Sequence, residues 1–67
     1  ADGLIGLEAV AVTALDPFGS IEVEGELWDA RIEAGNVEKG GRVEIEMKEG
    51  HILKVKPIKD AENSKEN

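Results

Sequence analysis

The chain offers few groups that can do chemistry. It contains no Cys and a single His, His51. Its hydroxyls are Thr13, Ser20 and Ser64. A hydroxyl nucleophile needs a base within hydrogen-bond reach and a third group to orient that base. Ser20 with His51 is the pairing to weigh, but no motif frames either residue. His51 reads as a strand-start residue beside the segment 48–50, Thr13 as part of the first strand and Ser64 as part of a polar tail. The alternating carboxylates Glu22, Glu24 and Glu26 raise the question of calcium. Ca²⁺ takes roughly six to eight converging oxygens from a bent loop, whereas alternation on a strand lines the three up along one face. No Asp-x-Asp-x-Asp-Gly loop is present, and one His without Cys cannot build a nitrogen- or thiolate-ligated site. The sequence therefore predicts no catalytic, metal-ligating or cofactor-binding residue, and no cofactor.

What remains is charge and shape. Fifteen acidic residues face eight basic ones, for a net charge of −7. The imbalance lies in residues 1–35, which hold eight acids and the single base Arg31; residues 36–67 hold seven of each. At 67 residues the chain is one domain, in the size range where only about 60% of the unfolded surface is buried. No apolar run approaches the ~20 residues of a membrane-spanning helix. The segment 1–3 lacks the basic start of a signal peptide, and a chain that opens on Ala1 reads as either processed or cut from a longer protein.

The hydrophobic period is that of strands. Residues 7–15 are apolar or small except for Glu8 and Thr13 and predict one long first strand. Asp16-Pro17-Phe18-Gly19 predicts a turn. Residues 20–23 alternate, Glu24-Gly25 suits a two-residue hairpin loop, and Ile21, Val23, Trp28, Ala30 and Ile32 then share the buried face. Residues 33–41 break the alternation; they predict a short connection with at most one helical turn that tucks Val37 under the core. Residues 42–47 alternate again with Val43, Ile45 and Met47 inward. At the next hairpin, a two-residue loop at Glu49-Gly50 sets Ile45 opposite Lys54. A three-residue loop over 48–50 sets Ile45 opposite Leu53, Val43 opposite Val55 and Lys54 opposite Glu44. The second matches apolar to apolar and is the prediction, with Gly50 left-handed. Pro57 ends the last strand. Residues 1–5 form a lead-in, 6–58 the folded body and 59–67 a disordered polar tail.

Five short strands with a linking segment between the third and fourth predict an all-β fold: a small five-stranded antiparallel Greek-key barrel, the OB-fold. Such barrels commonly bind oligonucleotides with Lys, Arg and stacked aromatics on strands two and three. Here those strands carry Glu22, Glu24, Glu26 and Asp29 against Arg31, and Trp28 falls on the inward face. No nucleic acid is expected, and an oligonucleotide-binding barrel is kept only as the rival reading. Binding of a protein partner is left: Phe18 in its turn, with Leu27 and Ile52 pointing outward from their strands, is the candidate surface, extended by Val10 or Val12 if they cluster with it.

The ordered run resembles the C-terminal soluble domain of NfeD-family membrane proteins. The likeness is carried by Gly6, by Ala11-x-Thr13-x-Leu15-x-Pro17-x-Gly19 and by Val23-x-Gly25-Glu26-x-Trp28-x-Ala30. It continues through Gly35-x-Val37-x-x-Gly40-x-x-Val43 and Glu49-Gly50-x-x-Leu53-x-Val55-x-Pro57. Ala9 stands where the family often has Gly. The resemblance implies an OB-fold domain of a membrane-anchored protein, with transmembrane helices before Ala1 and the domain on the cytoplasmic side. It implies a non-catalytic role in docking, or helping to assemble, a stomatin- or prohibitin-like membrane protein. Long family members add a ClpP-class serine protease domain, which suggests a regulatory domain of such a protease as an alternative. Glu46-Met47-Lys48 is also similar to the Met-Lys-Met hairpin of biotin-carrier domains, but Glu49 replaces the second Met and the repeat those domains require is missing.

Overall fold

The computed structural model describes residues 3–58. Five strands follow one another: β1 (Glu8–Ala11), β2 (Phe18–Val23), β3 (Glu26–Ile32), β4 (Arg42–Glu49) and β5 (Ile52–Pro57). They close into a barrel in the spatial order β1-β2-β3-β5-β4. Four neighbouring pairs are antiparallel. The fifth, β3 with β5, is parallel within an otherwise antiparallel barrel. Geometry demands the exception, because a closed ring with an odd number of strands cannot alternate direction all the way round. The predicted tail, 59–67, lies outside the described residues, as do Ala1 and Asp2 of the lead-in. Within the lead-in, Leu4 packs against the core.

The core is aliphatic. Leu15, Ile21, Val23, Ile32, Val43, Ile45, Leu53 and Val55 are fully buried, with Ala9, Ala11 and Ala30 filling the narrower positions. Each large side chain contributes roughly 1.5–3 kcal/mol of transfer free energy. Among the described residues no polar side chain is buried, so the interior carries no hydrogen-bonding penalty. Val37 is buried, as its place in the connection predicts.

The first predicted strand is shorter than expected. It ends at Ala11, and the chain then bends against β2. The N–H groups of Val12 and Thr13 both point to the Ser20 carbonyl, at 2.9 and 3.4 Å. The Thr13 hydroxyl accepts from Ser20 N–H and donates to the Ala14 carbonyl, each at 3.0 Å. Thr13 thus sits exposed at a bend rather than inside a strand. Beyond it, Leu15 and Val37 exchange two backbone hydrogen bonds of 2.8 and 3.0 Å, which ties the connection 33–41 to the body without a helical turn. The Asp16–Pro17 peptide bond is cis.

The β2–β3 hairpin has the predicted register, with Val23 opposite Glu26 and Ile21 opposite Trp28. Glu24 and Gly25 both have positive φ, 52° and 82°, the geometry of a two-residue turn that follows the strand twist. The β4–β5 hairpin differs from expectation. Its loop is Gly50-His51, closed by Glu49 opposite Ile52, so His51 is a turn residue. Gly50 is left-handed as predicted, with φ 65°. The register shifts between Ile45 and Met47, which places Ile45 opposite Val55, Val43 opposite Pro57 and Lys56, not Lys54, opposite Glu44. Apolar residues are matched by a bulge in the strand instead of by loop length. The extra residue, Glu46, also turns Met47 outward: it is 46% exposed, where the sequence predicts it inside.

Candidate functional site

The outer wall formed by β1, β2, β3, β5 and the end of β4 brings together side chains that are scattered in sequence. Neighbouring strands lie about 4.8 Å apart and alternate residues share a face. The register therefore lays out three rows. The first is Val10–Glu22–Leu27. The second is Ser20–Asp29–Ile52–Glu49, and the third Phe18–Arg31–Lys54–Met47.

Phe18, Leu27 and Ile52 all occupy this one face. Phe18 and Leu27 are 61% and 71% exposed. Ile52 also lies on it but is half-buried. Next to it, Arg31 on β3 and Glu49 on β4 join across β5 through two hydrogen bonds, Nε to Oε1 at 3.1 Å and Nη2 to Oε2 at 3.3 Å. Val10, 40% exposed, joins the first row with Glu22 between it and Leu27; Val12 is half-buried beside Ser20, to whose carbonyl its N–H donates. Met47 is the apolar member that sequence reasoning misses, because nothing in residues 42–47 signals the bulge.

The charges on the wall are unequally engaged. Lys54 Nζ lies 2.9 Å from Glu33 Oε1. That hydrogen bond, reinforced by the charge attraction, lowers the Glu33 carboxyl pKa and raises that of the Lys54 ammonium. The hydrogen bond to Glu49, with its charge, raises Arg31 in the same way. Both cations of the wall are thus held by carboxylates, while Glu22 and Asp29 have no ion-pair partner among the described residues. A phosphate backbone needs accessible cations, and this wall presents the opposite sign.

Trp28 lies on the inward side as predicted, opposite Ile21. It is half-buried at the mouth of the barrel, packed on the core edge. Lys48 Nζ stands 5.5 Å from the ring centroid, and the indole Nε1–H donates to Glu26 Oε1 at 3.4 Å. Beside it, Ser20 and His51 line one open depression together with Glu26, Leu27 and Asp29. Among the described residues no hydrogen bond joins Ser20 to His51, and a nucleophile–base pair requires one. No three metal-ligating side chains converge among the described residues.

Sequence and barrel together match a known domain type. Residues 1–57 match the NfeD-like C-terminal, partner-binding domain. The chain belongs to the NfeD family. It is similar to the C-terminal domain of a stomatin operon partner protein from Pyrococcus horikoshii, at 40% identity and a TM-score of 0.80 over 84% of this chain and 89% of that one. It is also 43% identical over 51 residues to a membrane-bound protease of Pyrococcus horikoshii. That match covers 75% of this chain and 12% of the protease. The NfeD domain is thus a partner-binding module and not a catalytic one, and its OB-type barrel is the fold that the sequence resemblance implies. Among the described residues no helix is long and apolar enough to cross a membrane.

Proposed function

We propose that this NfeD domain docks a stomatin- or prohibitin-like membrane protein through the outer wall centred on Phe18, Leu27 and Ile52. The observation that carries the surface is their convergence: three outward apolar residues from β2, β3 and β5 share one face of a partner-binding domain. The partner's class is suggested by the name of the related stomatin operon partner protein. Membrane attachment comes from other parts of the parent protein, with this domain on the cytoplasmic side. A pull-down tests the reading. The immobilised 67-residue chain retains the stomatin-like protein of the same organism, and Phe18→Ser or Leu27→Ser reduces retention about tenfold each, since either loses most of an apolar anchor. Equal retention by both variants refutes the surface, and no retention by the unaltered chain refutes the partner.

A second reading is favoured by the related membrane-bound protease: the domain regulates a protease domain of its own polypeptide. Chemical crosslinking of the full-length parent separates the two, because that reading requires crosslinks from this wall to the protease domain.

A further inference from the structure

The depression at the barrel mouth has features that the docking proposal does not use. β5 begins opposite Asp29, so Glu26, Leu27 and Trp28 have a strand neighbour, β2, on one side only. On the other side lies an open hollow of about 630 Å³ lined by Ser20, Glu26, Leu27, Trp28, Asp29 and His51. Two of these are carboxylates and none is Lys or Arg. Leu27 is the most exposed large apolar side chain among the described residues, and it stands at the rim. The Trp28 ring already holds a cation, the Lys48 ammonium at 5.5 Å, with the Glu26 carboxylate on the indole N–H. The neighbouring Arg31 is tied to Glu49 and does not neutralise the hollow.

We infer that this hollow is the anchor pocket for a basic side chain of a protein partner. The occupant is an arginine or lysine in an extended basic–apolar segment: its charge lies between Glu26 and Asp29 against Trp28, and an adjacent apolar residue covers Leu27. Charge complementarity selects this occupant. Carboxylates, an exposed aliphatic side chain and an aromatic face together suit a cation with an apolar neighbour. Lys48 acts as an internal placeholder that the incoming cation displaces from the ring. The inference rests on the reading of the chain as a protein-binding domain, and it specifies the chemistry of the segment that is bound.

Trp28 is the only tryptophan, so its fluorescence reports on the pocket directly. The test titrates the full 67-residue chain with three short peptides: arginine alternating with leucine, glutamate alternating with leucine, and arginine alternating with serine. The arginine–leucine peptide is expected to change Trp28 fluorescence saturably, the arginine–serine peptide more weakly and the glutamate–leucine peptide not at all. Raising salt weakens the response. Leu27→Ser lowers affinity about tenfold. Lys48→Ala raises it about two- to five-fold by removing the internal competitor. Glu26→Gln together with Asp29→Asn abolishes it; circular dichroism checks that every variant remains folded. A response to the glutamate peptide equal to that for the arginine peptide overturns the inference, as does a stronger response to oligothymidine or to anionic lipid vesicles. So does weaker binding by Lys48→Ala. A stomatin-like protein that binds without altering Trp28 fluorescence also overturns it while sustaining the proposed function. Binding of the arginine–leucine peptide without binding of that protein sustains the inference and removes the proposed partner.

Discussion

Arg31 on β3 and Glu49 on β4 hold each other across the strand between them, β5, through paired hydrogen bonds of 3.1 and 3.3 Å. The pair spans the one parallel junction of the barrel, and Glu49 is the strand partner of Ile52. Two-point guanidinium–carboxylate contacts are geometrically specific, but on a solvated surface they contribute little. Glu49→Gln is therefore expected to lower the melting temperature by only a few degrees, an effect that fades at high salt, and to increase the exposure of Ile52. Hydrogen exchange at Ile52 and Leu53, compared with the unaltered chain, checks the second effect.

A second ion pair, Lys54 with Glu33, sets a pH dependence. Glu33 titrates below the ordinary carboxylate range because Lys54 donates to it. Its contribution is complete above that range and is lost as pH falls through the lowered value. Lys54 titrates above the ordinary lysine value, so its contribution is complete below that value and is lost only as pH rises through the raised one. Stability from this pair is thus level around neutrality and falls at both extremes. Melting curves of Glu33→Gln are expected to show shallower acid and alkaline limbs; limbs identical to those of the unaltered chain would remove the pair from the account.

Gly19 lies in β2 where the bend at residues 13–15 presses against it. A Cβ at this position would meet the Ala14 carbonyl oxygen, Leu15 Cδ2 at 2.6 Å and Thr13 Oγ1 at 2.6 Å. Gly19→Ala is expected to destabilise the domain by about 1–3 kcal/mol, the range for forced overpacking, as read from urea unfolding. The clash is with backbone as well as side chain, so repacking cannot relieve it.

Glu24 occupies a left-handed turn position, φ 52°, that favours Asn or Gly. Glu24→Asn is expected to stabilise the β2–β3 hairpin by roughly 0.5 kcal/mol, and Gly25→Ala, at φ 82°, to destabilise it by about 1–2 kcal/mol. Opposite signs at adjacent positions make thermal unfolding of the two variants a sharp check on the turn.

The same turn explains what was legible in the sequence. Glu24-Gly25 between alternating segments specifies a two-residue loop, and that loop dictates which of Ile21, Val23, Ala30 and Ile32 face inward. The placing of Leu27 on the outer wall follows; that of Phe18 does not, because Phe18 and Gly19 begin β2 instead of sitting in the predicted turn. The β4–β5 register was not legible, because a bulge at Glu46 and a three-residue loop satisfy apolar matching equally well on paper. Met47 was lost from the candidate surface with it. The bend after Ala11 was hidden by a continuous apolar run, and its cause, Thr13 and Leu15 bonding to distant residues, is non-local. The parallel β3–β5 junction, which brings Ile52 beside Asp29 and frees the edge of Leu27, is likewise a property of closure and not of any segment.

The proposed contact of this NfeD domain with its partner lies on the wall of β2, β3 and β5. Its most direct test is an NMR titration of the ¹⁵N-labelled chain with the stomatin-like protein of the same organism. The largest amide shifts are expected at Phe18, Leu27 and Ile52, with the Trp28 indole signal moving beside them. Shifts confined to the β1–β4 side, around Glu8, Arg42 and Glu44, or no shifts at saturating partner, would contradict it.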